Sequence, residues 1–436
     1  MLPVVQILVM LTARQVVSTL AKADVLEPVV AVAEVLAAEA VGVLSAKSLS
    51  RKGGPEIWAS LITFGGVRMN SLKERTVSLT LTQSCNLECT YCYENHKSTA
   101  RLDFSVAKKI IDEELKRKGN YDTIIFDLFG GEPFLEFDLI KKITEYICEN
   151  KGDTPCTIFA TTNGTLVHGE IQEWLKEHIG CFVCGLSLDG TREMHNQNRS
   201  NSYDDIDLDF FATQYPEQDI KMTISKETLP SLAEGVIDLH TKGFLVSCNL
   251  AYGIDWSDFR YVDILQRELS KLIDYYLKNP HVEPCSMLAM SFSNVGVYQE
   301  HAVRYCGAGK HMRSYDVDGR AYPCQFFMPL SIGEEKASAI KNIEFPDDIL
   351  PEELLDEKCK SCVIRSVCPN CFGSNYASTG SIYKRDDNLC RLTKIIFKAR
   401  SYFRAKQWEQ RQLQEESDDL EVLLRAIVKI QEELEI

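Results

Sequence analysis

The stretch VSLTLTQSCNLECTYC, residues 77–92, decides how the rest of the chain is read. Its first part, 77–82, is apolar and β-rich, the composition of a strand. Its second part carries Cys85, Cys89 and Cys92 at the spacing C-x3-C-x2-C, in the loop that leaves that strand. Thiolates are soft ligands suited to zinc, copper(I) or iron–sulfur clusters. Such clusters are usually held by four cysteines, so three in one loop point to a [4Fe-4S] cluster with one iron left open. On the loop alone, a structural zinc site with its fourth ligand elsewhere, or cysteines that merely pack, stands beside that reading.

Five more strand-like runs follow, at 123–129, 157–161, 182–188, 220–224 and 244–250. Helix-like segments lie at 105–118, 136–150, 169–178, 205–214, 229–241 and 257–278. Strands alternating with helices build βαβ units and a parallel sheet. Six units are too few for an eight-fold barrel, so the expected fold is α/β, a partial, open (βα)6 TIM barrel. In such architectures the chemistry sits on loops after the C-terminal ends of strands. Those loops carry, in order, the three cysteines, Gly130-Gly131-Glu132-Pro133, Thr162-Asn163-Gly164, and Ser187-Leu188-Asp189-Gly190 with His195 and Arg199 beyond. A glycine pair lets a ligand approach the backbone closely, and a carboxylate beside it can receive an ammonium group. Each motif alone is as well explained by a turn. Their succession on consecutive strands is not.

The chain has 436 residues, enough for two or three domains. A formal charge of -15 argues against a nucleic-acid groove. Sixteen cysteines grouped in pairs and triplets inside a long chain favour metal binding in a reducing cytoplasm over a disulfide scaffold. The apolar run 2–11 is too short for a membrane span and lacks the basic start of a signal peptide. Residues 1–68 read as a helical N-terminal extension broken at Gly53-Gly54-Pro55, with Met69 an alternative natural start. The barrel is expected over 69–280, a cysteine-rich domain over 281–390 and C-terminal helices over 391–436. Towards the end of the chain, apolar residues at helical spacing mark helices over 388–412 and 420–434.

With these motifs in order, the chain resembles the radical S-adenosylmethionine (radical SAM) superfamily, in particular its peptide- and protein-modifying branch. The resemblance implies that Cys85, Cys89 and Cys92 hold a [4Fe-4S] cluster whose open iron binds the amino and carboxylate groups of S-adenosylmethionine. Tyr91 matches the aromatic near the adenine, and Gly130, Gly131, Glu132 and Pro133 match the GGEP motif that receives the amino group. Thr162 and Asn163 match a TNG motif, Ser187 and Asp189 the ribose-side positions, and Arg199 the residue that reaches the carboxylate. A 5′-deoxyadenosyl radical made there would remove hydrogen from an unactivated carbon, in a dry and closed barrel mouth.

Beyond the barrel come Cys306, Cys324, Cys359, Cys362, Cys368, Cys371 and Cys390. A zinc ribbon would need an unusually short gap between its two C-x2-C pairs. The order resembles the SPASM domain, with one departure: two residues, not three, separate Cys368 from Cys371. That resemblance assigns Cys306, Cys324 and Cys371 to a first auxiliary [4Fe-4S] cluster, and Cys359, Cys362, Cys368 and Cys390 to a second, three clusters in all. The first then lacks an evident fourth ligand; His311 or Cys285 completes it, or an iron stays open. Of the other cysteines, Cys148, Cys156 and Cys248 are expected in the core. Cys181 and Cys184 straddle a strand and are expected to pack.

The expected function is modification of a ribosomally synthesised precursor peptide, most simply by an intramolecular thioether or carbon–carbon cross-link. Backbone excision and epimerisation are the alternatives. Formylglycine formation loses weight because Gln325 follows Tyr322-Pro323-Cys324 where those relatives have a carboxylate, and an amide cannot accept a proton. A non-catalytic iron–sulfur electron carrier would need no GGEP-like motif. The partners implied are the peptide, a separate leader-binding protein, and a reductant such as flavodoxin or ferredoxin, with no nucleic acid and no membrane. No catalytic acid or base can be named from the sequence.

Overall fold

In β1 (Glu74–Thr82), Val77, Leu79 and Leu81 alternate with Ser78, Thr80 and Thr82, and all six are buried. A strand with two such faces needs cover for the apolar one and a polar interior for the other. The apolar face packs under the helices, in one cluster with Ile124, Phe126 and Leu128 of β2 (Thr123–Gly130). β2 pairs in parallel with β1 and with β3 (Cys156–Thr162), which pairs in parallel with β4 (Phe182–Leu186). The helices between them are α1 (Phe104–Lys116), α2 (Phe137–Asn150) and α3 (Glu170–Glu177). The computed structural model describes residues 73–436 except 118, 120, 290, 293–294, 296–301, 411 and 414–416. The N-terminal extension and the Met69 start lie outside these residues.

The wall continues through α4 (Arg192–Asn198), α5 (Leu208–Gln214), β5 (Asp219–Ile224), α6 (Leu232–Thr241), β6 (Leu245–Leu250) and α7 (Arg260–Lys278). β5 and β6 pair in parallel. They meet the segment just past β4 at an isolated bridge, where Leu188 N–H donates to the Lys221 carbonyl at 3.0 Å. All six expected strands are present, in the order a partial barrel requires. α4 was not expected. It is too short to show a helical period, and Thr191 starts it by accepting from Met194 N–H.

The C-terminal part adds to the same sheet. β7 (Met312–Tyr315) lies parallel to β1, and β8 (Ala321–Tyr322) lies antiparallel to β7, giving the order β4-β3-β2-β1-β7-β8. The edge of β1 is therefore paired rather than left open to another chain. Glu114 of α1 closes the joint: Arg75 Nε donates to it at 2.6 Å and Tyr315 Oη also donates to it, with the carboxylate fully buried. A second apolar cluster, around Phe327, Phe345, Phe372 and Tyr376, encloses Cys324. Phe372 and Tyr376 belong to α8 (Phe372–Thr379). α9 (Asp387–Glu409) and α10 (Ser417–Glu433) follow, near the two expected spans. Phe403 of α9 lies 5.9 Å from the ring of Tyr276 on α7. Among the described residues, no helix is long and apolar enough to cross a membrane.

Candidate functional site

The β1 strand delivers the Cys85–Cys92 loop to one rim of the wall, and the next strands hold it there. Gly131 N–H donates to the Thr82 carbonyl at 3.0 Å and Glu132 N–H to the Ser84 carbonyl at 2.9 Å. A Cβ on Gly131 would stand 2.2 Å from the Ser84 carbonyl oxygen, so only glycine lets the β2 loop lie this close. Asn86 accepts from Asn163 Nδ2 and donates to Thr165 Oγ1, both at 2.8 Å, which ties the loop to the end of β3. Thr90 N–H donates to the Asn198 carbonyl, tying it to α4.

Two carboxylates anchor this rim. Glu132 is buried; Oε1 accepts from Thr162 Oγ1 at 2.8 Å and from Phe134 N–H at 3.1 Å, and Oε2 accepts from Asn163 N–H at 2.8 Å. Burial pushes its carboxyl up to about 7 against those bonds. Asp189 is wholly buried. Its Oδ2 accepts from Tyr91 Oη at 2.6 Å, Arg199 Nε at 2.9 Å and Asn198 Nδ2 at 3.1 Å, and its Oδ1 from Thr223 N–H at 2.9 Å and Arg199 Nη2 at 3.3 Å. Arg199 also lies over the Tyr91 ring, 5.5 Å from its centroid. His195 steadies the hub: its Nδ1 accepts from Asp189 N–H at 3.3 Å, and burial holds the ring down at about 4, hence neutral. The Ser187 N–H donates to the Thr162 carbonyl, joining the third and fourth loops.

The three thiols share one electrostatic field. Burial raises Cys85 to about 11 and also raises Cys89 and Cys92. Lys97, not singled out in the sequence, reaches all three, and Arg199 and Asp189 reach Cys89. Thiols held protonated in this way are poor nucleophiles and release the proton when a bound cation displaces it. The C-terminal cysteines proposed for the two clusters interact with one another, and Tyr305 feels members of both groups. Cys324 and Cys371 each feel Cys306; Cys368 feels Cys390 and Cys362, and Cys359 feels Cys368 and Cys390. Arg385 sits in the second group and donates from Nη1 to Cys368 Sγ. Among the described residues no three His, Cys, Asp or Glu side chains converge closely enough to hold one metal ion. The fit of each group to a cluster therefore rests on donor chemistry and enclosure.

Neither candidate for the fourth ligand of the first group is placed to serve. His311 spends Nε2 on Asp348 at 2.6 Å and Nδ1 on Tyr121 Oη at 3.1 Å. Cys285 is buried in the barrel's apolar cluster beside Cys248 and Tyr276. Their pairings are long-range and leave no local sequence trace. Cys148 is exposed, not core, and lies beside Cys181; Cys184 and Cys248 are buried as expected. Aromatic rings fill the space between the first loop and the first C-terminal group. Tyr93 stacks on Phe326 at 4.2 Å, and Phe326 meets Tyr252 edge-on at 5.7 Å.

One group of polar residues was missed altogether. Ser78, Asp127 and Lys221 sit one layer inside the rim, on the polar face of β1, β2 and β5. Gln325 reaches in from beside β8 to join them: its Nε2 donates to Ser78 Oγ at 2.8 Å and to Asp127 Oδ2 at 3.0 Å. The amide that cannot accept a proton is thus hydrogen-bonded to a carboxylate that can. The alternation of β2 could have flagged Asp127, a charge in an otherwise apolar run.

Comparison with known proteins follows the same lines. Residues 79–207 match the model of the radical SAM superfamily. An uncharacterized protein of Methanocaldococcus jannaschii is 32% identical over 163 residues, 36% of this chain and 56% of that protein. The match thus spans only about half of that relative's length. The radical SAM cyclopropyl synthase TigE of Paramaledivibacter caminithermalis is 19% identical over 74% of this chain and 73% of its own. An AdoMet-dependent heme synthase of Methanosarcina barkeri is 26% identical over 72% of this chain and 96% of its own. The solved structure of native anSMEcpe with bound AdoMet and Cp18Cys peptide shares the fold, with a TM-score of 0.59 at 18% identity over 78% of this chain and 99% of that one. The chain carries a radical SAM domain, and its homologues include enzymes of the SPASM-type maturase branch.

Proposed function

We propose that this protein cleaves S-adenosylmethionine reductively and uses the radical to modify a ribosomally synthesised precursor peptide, forming an intramolecular thioether or carbon–carbon cross-link. The observation that carries the reading is the rim. Three thiols, the Gly130-Gly131 approach and the Glu132 and Asp189 hubs surround one mouth, above a polar interior. Support for the substrate class comes from the neighbour of like fold that was solved with both AdoMet and a peptide.

In this reading Cys85, Cys89 and Cys92 hold a [4Fe-4S] cluster that, with S-adenosylmethionine bound, supplies a 5′-deoxyadenosyl radical. Glu132, flanked by Gly130, Gly131 and Pro133 and fixed by Thr162 and Asn163, receives the ammonium group, and its raised pKa lets that charge draw it to the carboxylate form. Arg199 takes the carboxylate, Tyr91 lies at the adenine, and Ser187 stands on the ribose side. Asp189 serves there by fixing Tyr91 and Arg199, since its two oxygens already accept five hydrogen bonds, whereas Glu132 Oε2 accepts only one and keeps a lone pair for the ammonium group. Cys306, Cys324 and Cys371, and Cys359, Cys362, Cys368 and Cys390, hold two auxiliary clusters. A flavodoxin or ferredoxin as reductant, a separate leader-binding protein and a cytoplasmic setting complete the proposal, as does a division into barrel, cysteine-rich domain and C-terminal helices.

The test is anaerobic reconstitution, followed by incubation with S-adenosylmethionine and the short peptides encoded beside the gene. Release of 5′-deoxyadenosine with loss of two hydrogens from a peptide is expected. An unchanged mass with an inverted residue indicates epimerisation, and a larger loss indicates excision. No 5′-deoxyadenosine leaves an electron carrier. Iron of about twelve atoms per chain is expected, and about four would remove the auxiliary clusters. A second reading, a tetrapyrrole substrate, is favoured by the Methanosarcina relative, whose length is matched almost fully. Incubation with iron coproporphyrin in place of peptide separates the two.

A further inference from the structure

The interior of the barrel carries charge that the rim does not use. Asp127 on β2 and Lys221 on β5 stand on strands three places apart around the wall, and each charge reaches the other. Asp127 Oδ2 accepts from Ser78 Oγ at 2.8 Å and from Gln325 Nε2 at 3.0 Å. Its Oδ1 accepts from none of the described residues, and the side chain keeps 8% of its exposure. Lys221 donates to Thr161 Oγ1 at 2.6 Å and lies 4.6 Å from the centroid of the Phe159 ring. A buried carboxylate normally has its acceptors filled. Here one oxygen is turned by two donors so that the other is left for something else.

We propose that Asp127 is the base of this barrel: Oδ1 meets the bound substrate and takes the proton that leaves it during oxidation. This rests on the proposed function above. In a cross-link, a substrate carbon gives a hydrogen atom to the 5′-deoxyadenosyl radical, which becomes 5′-deoxyadenosine. The new bond forms between that carbon and a sulfur or carbon of the same peptide as the S–H or C–H bond of that second atom breaks. Its proton goes to Asp127, and the remaining electron goes to a one-electron iron–sulfur acceptor. Gln325 cannot take the proton; it donates to Oδ2 and keeps Oδ1 facing inward. Lys221 steadies the carboxylate from across the interior, while burial lowers its own pKa to about 8 and raises that of Asp127. Tyr93, whose phenol Asp127 also reaches, is a further titratable neighbour.

The experiment compares the full reconstituted chain with its Asp127→Asn and Asp127→Asn/Gln325→Glu variants. The probe is the synthetic precursor peptide that the wild type modifies. Asp127→Asn should release 5′-deoxyadenosine within about threefold of wild type yet form product at least about 100-fold more slowly, the scale of a lost general base. The double variant, with a carboxylate set back within hydrogen-bonding distance of the same point, should recover at least about tenfold. Melting of the reconstituted chains and their affinity for the peptide should be unchanged, which a merely structural role would not allow. Product from Asp127→Asn within about threefold of wild type overturns the proposal and leaves the proposed function standing. So does a lowered melting temperature without recovery in the double variant. A wild type that releases no 5′-deoxyadenosine overturns both.

Discussion

The rim and the interior of this barrel treat their carboxylates in opposite ways. At the rim, Glu132 and Asp189 have both oxygens occupied by the protein's own donors. One layer inside, Asp127 keeps an oxygen that no described residue fills. A filled carboxylate is chiefly a fixture: it locks its neighbours in place and has at most a lone pair left to hold a bound cation. A part-filled one in a water-poor space costs stability and is kept for what it can do. The rim is thus built to hold, and the interior to react.

The sharpest way to break this division is at the loop itself. Cys89→Ala should abolish 5′-deoxyadenosine release, by a factor above about 1,000, because no other thiol in the loop can replace it. Iron content should fall by about a third, from about twelve atoms to about eight. If cleavage survives, the rim holds nothing and the contrast is empty.

Next comes a stability comparison. Asp189→Ala strands Arg199, a buried cation, without its partner. Removing one half of a buried ion pair costs about 3–5 kcal/mol, measured by denaturant titration of the cluster-free chain. Asp127→Ala should cost less than half as much, since that carboxylate has fewer bonds and its burial is already unfavourable. Equal losses would mean the interior is as rigidly built as the rim.

How much of this was legible follows the same division. The six strands were readable because each alternates or runs apolar over several residues, and the rim motifs because each is contiguous and ends a strand. β7 was not readable: Met312–Tyr315 is four residues with no alternation, and it is a strand because the edge of β1 is there to receive it. The seven C-terminal cysteines stood out in the sequence, but their division into two groups came only from the resemblance, and their surroundings were not legible. Arg385, the Tyr93–Phe326 stack and the engagement of His311 with Asp348 join residues far apart in the chain. The surroundings of Gln325 were hidden for the same reason. Read in its own motif it marks a missing carboxylate; folded, it lies against one supplied from nearly 200 residues earlier.

A titration probes how firmly the hub is held. His195 has its folded pKa depressed from the ordinary 6.5 to about 4, by burial and then by Arg199. A depressed histidine contributes stability that is full above the unfolded value and is lost as pH falls toward the folded one. Between pH 7 and pH 5 the cluster-free chain should therefore lose about 2 kcal/mol through this group. His195→Gln should lose less over the same interval, because nothing in its place must charge. Parallel curves for the two proteins would mean that the rim opens locally before it protonates.

The smallest effect isolates a single bond of the hub. Tyr91 donates to Asp189 at 2.6 Å, and Tyr91→Phe removes only that hydroxyl. Because Arg199, Asn198 and Thr223 still fill both oxygens of Asp189, no acceptor is left bare, and the loss should be about 1 kcal/mol, the net worth of one hydrogen bond. The ring keeps its place under Arg199, so affinity for S-adenosylmethionine in the reconstituted enzyme should change by less than about tenfold. A much larger loss would show the hub to be a chain of dependent bonds rather than a redundant set. The rim would then owe its order to Tyr91, inside the cysteine loop, and not to the strands beneath it.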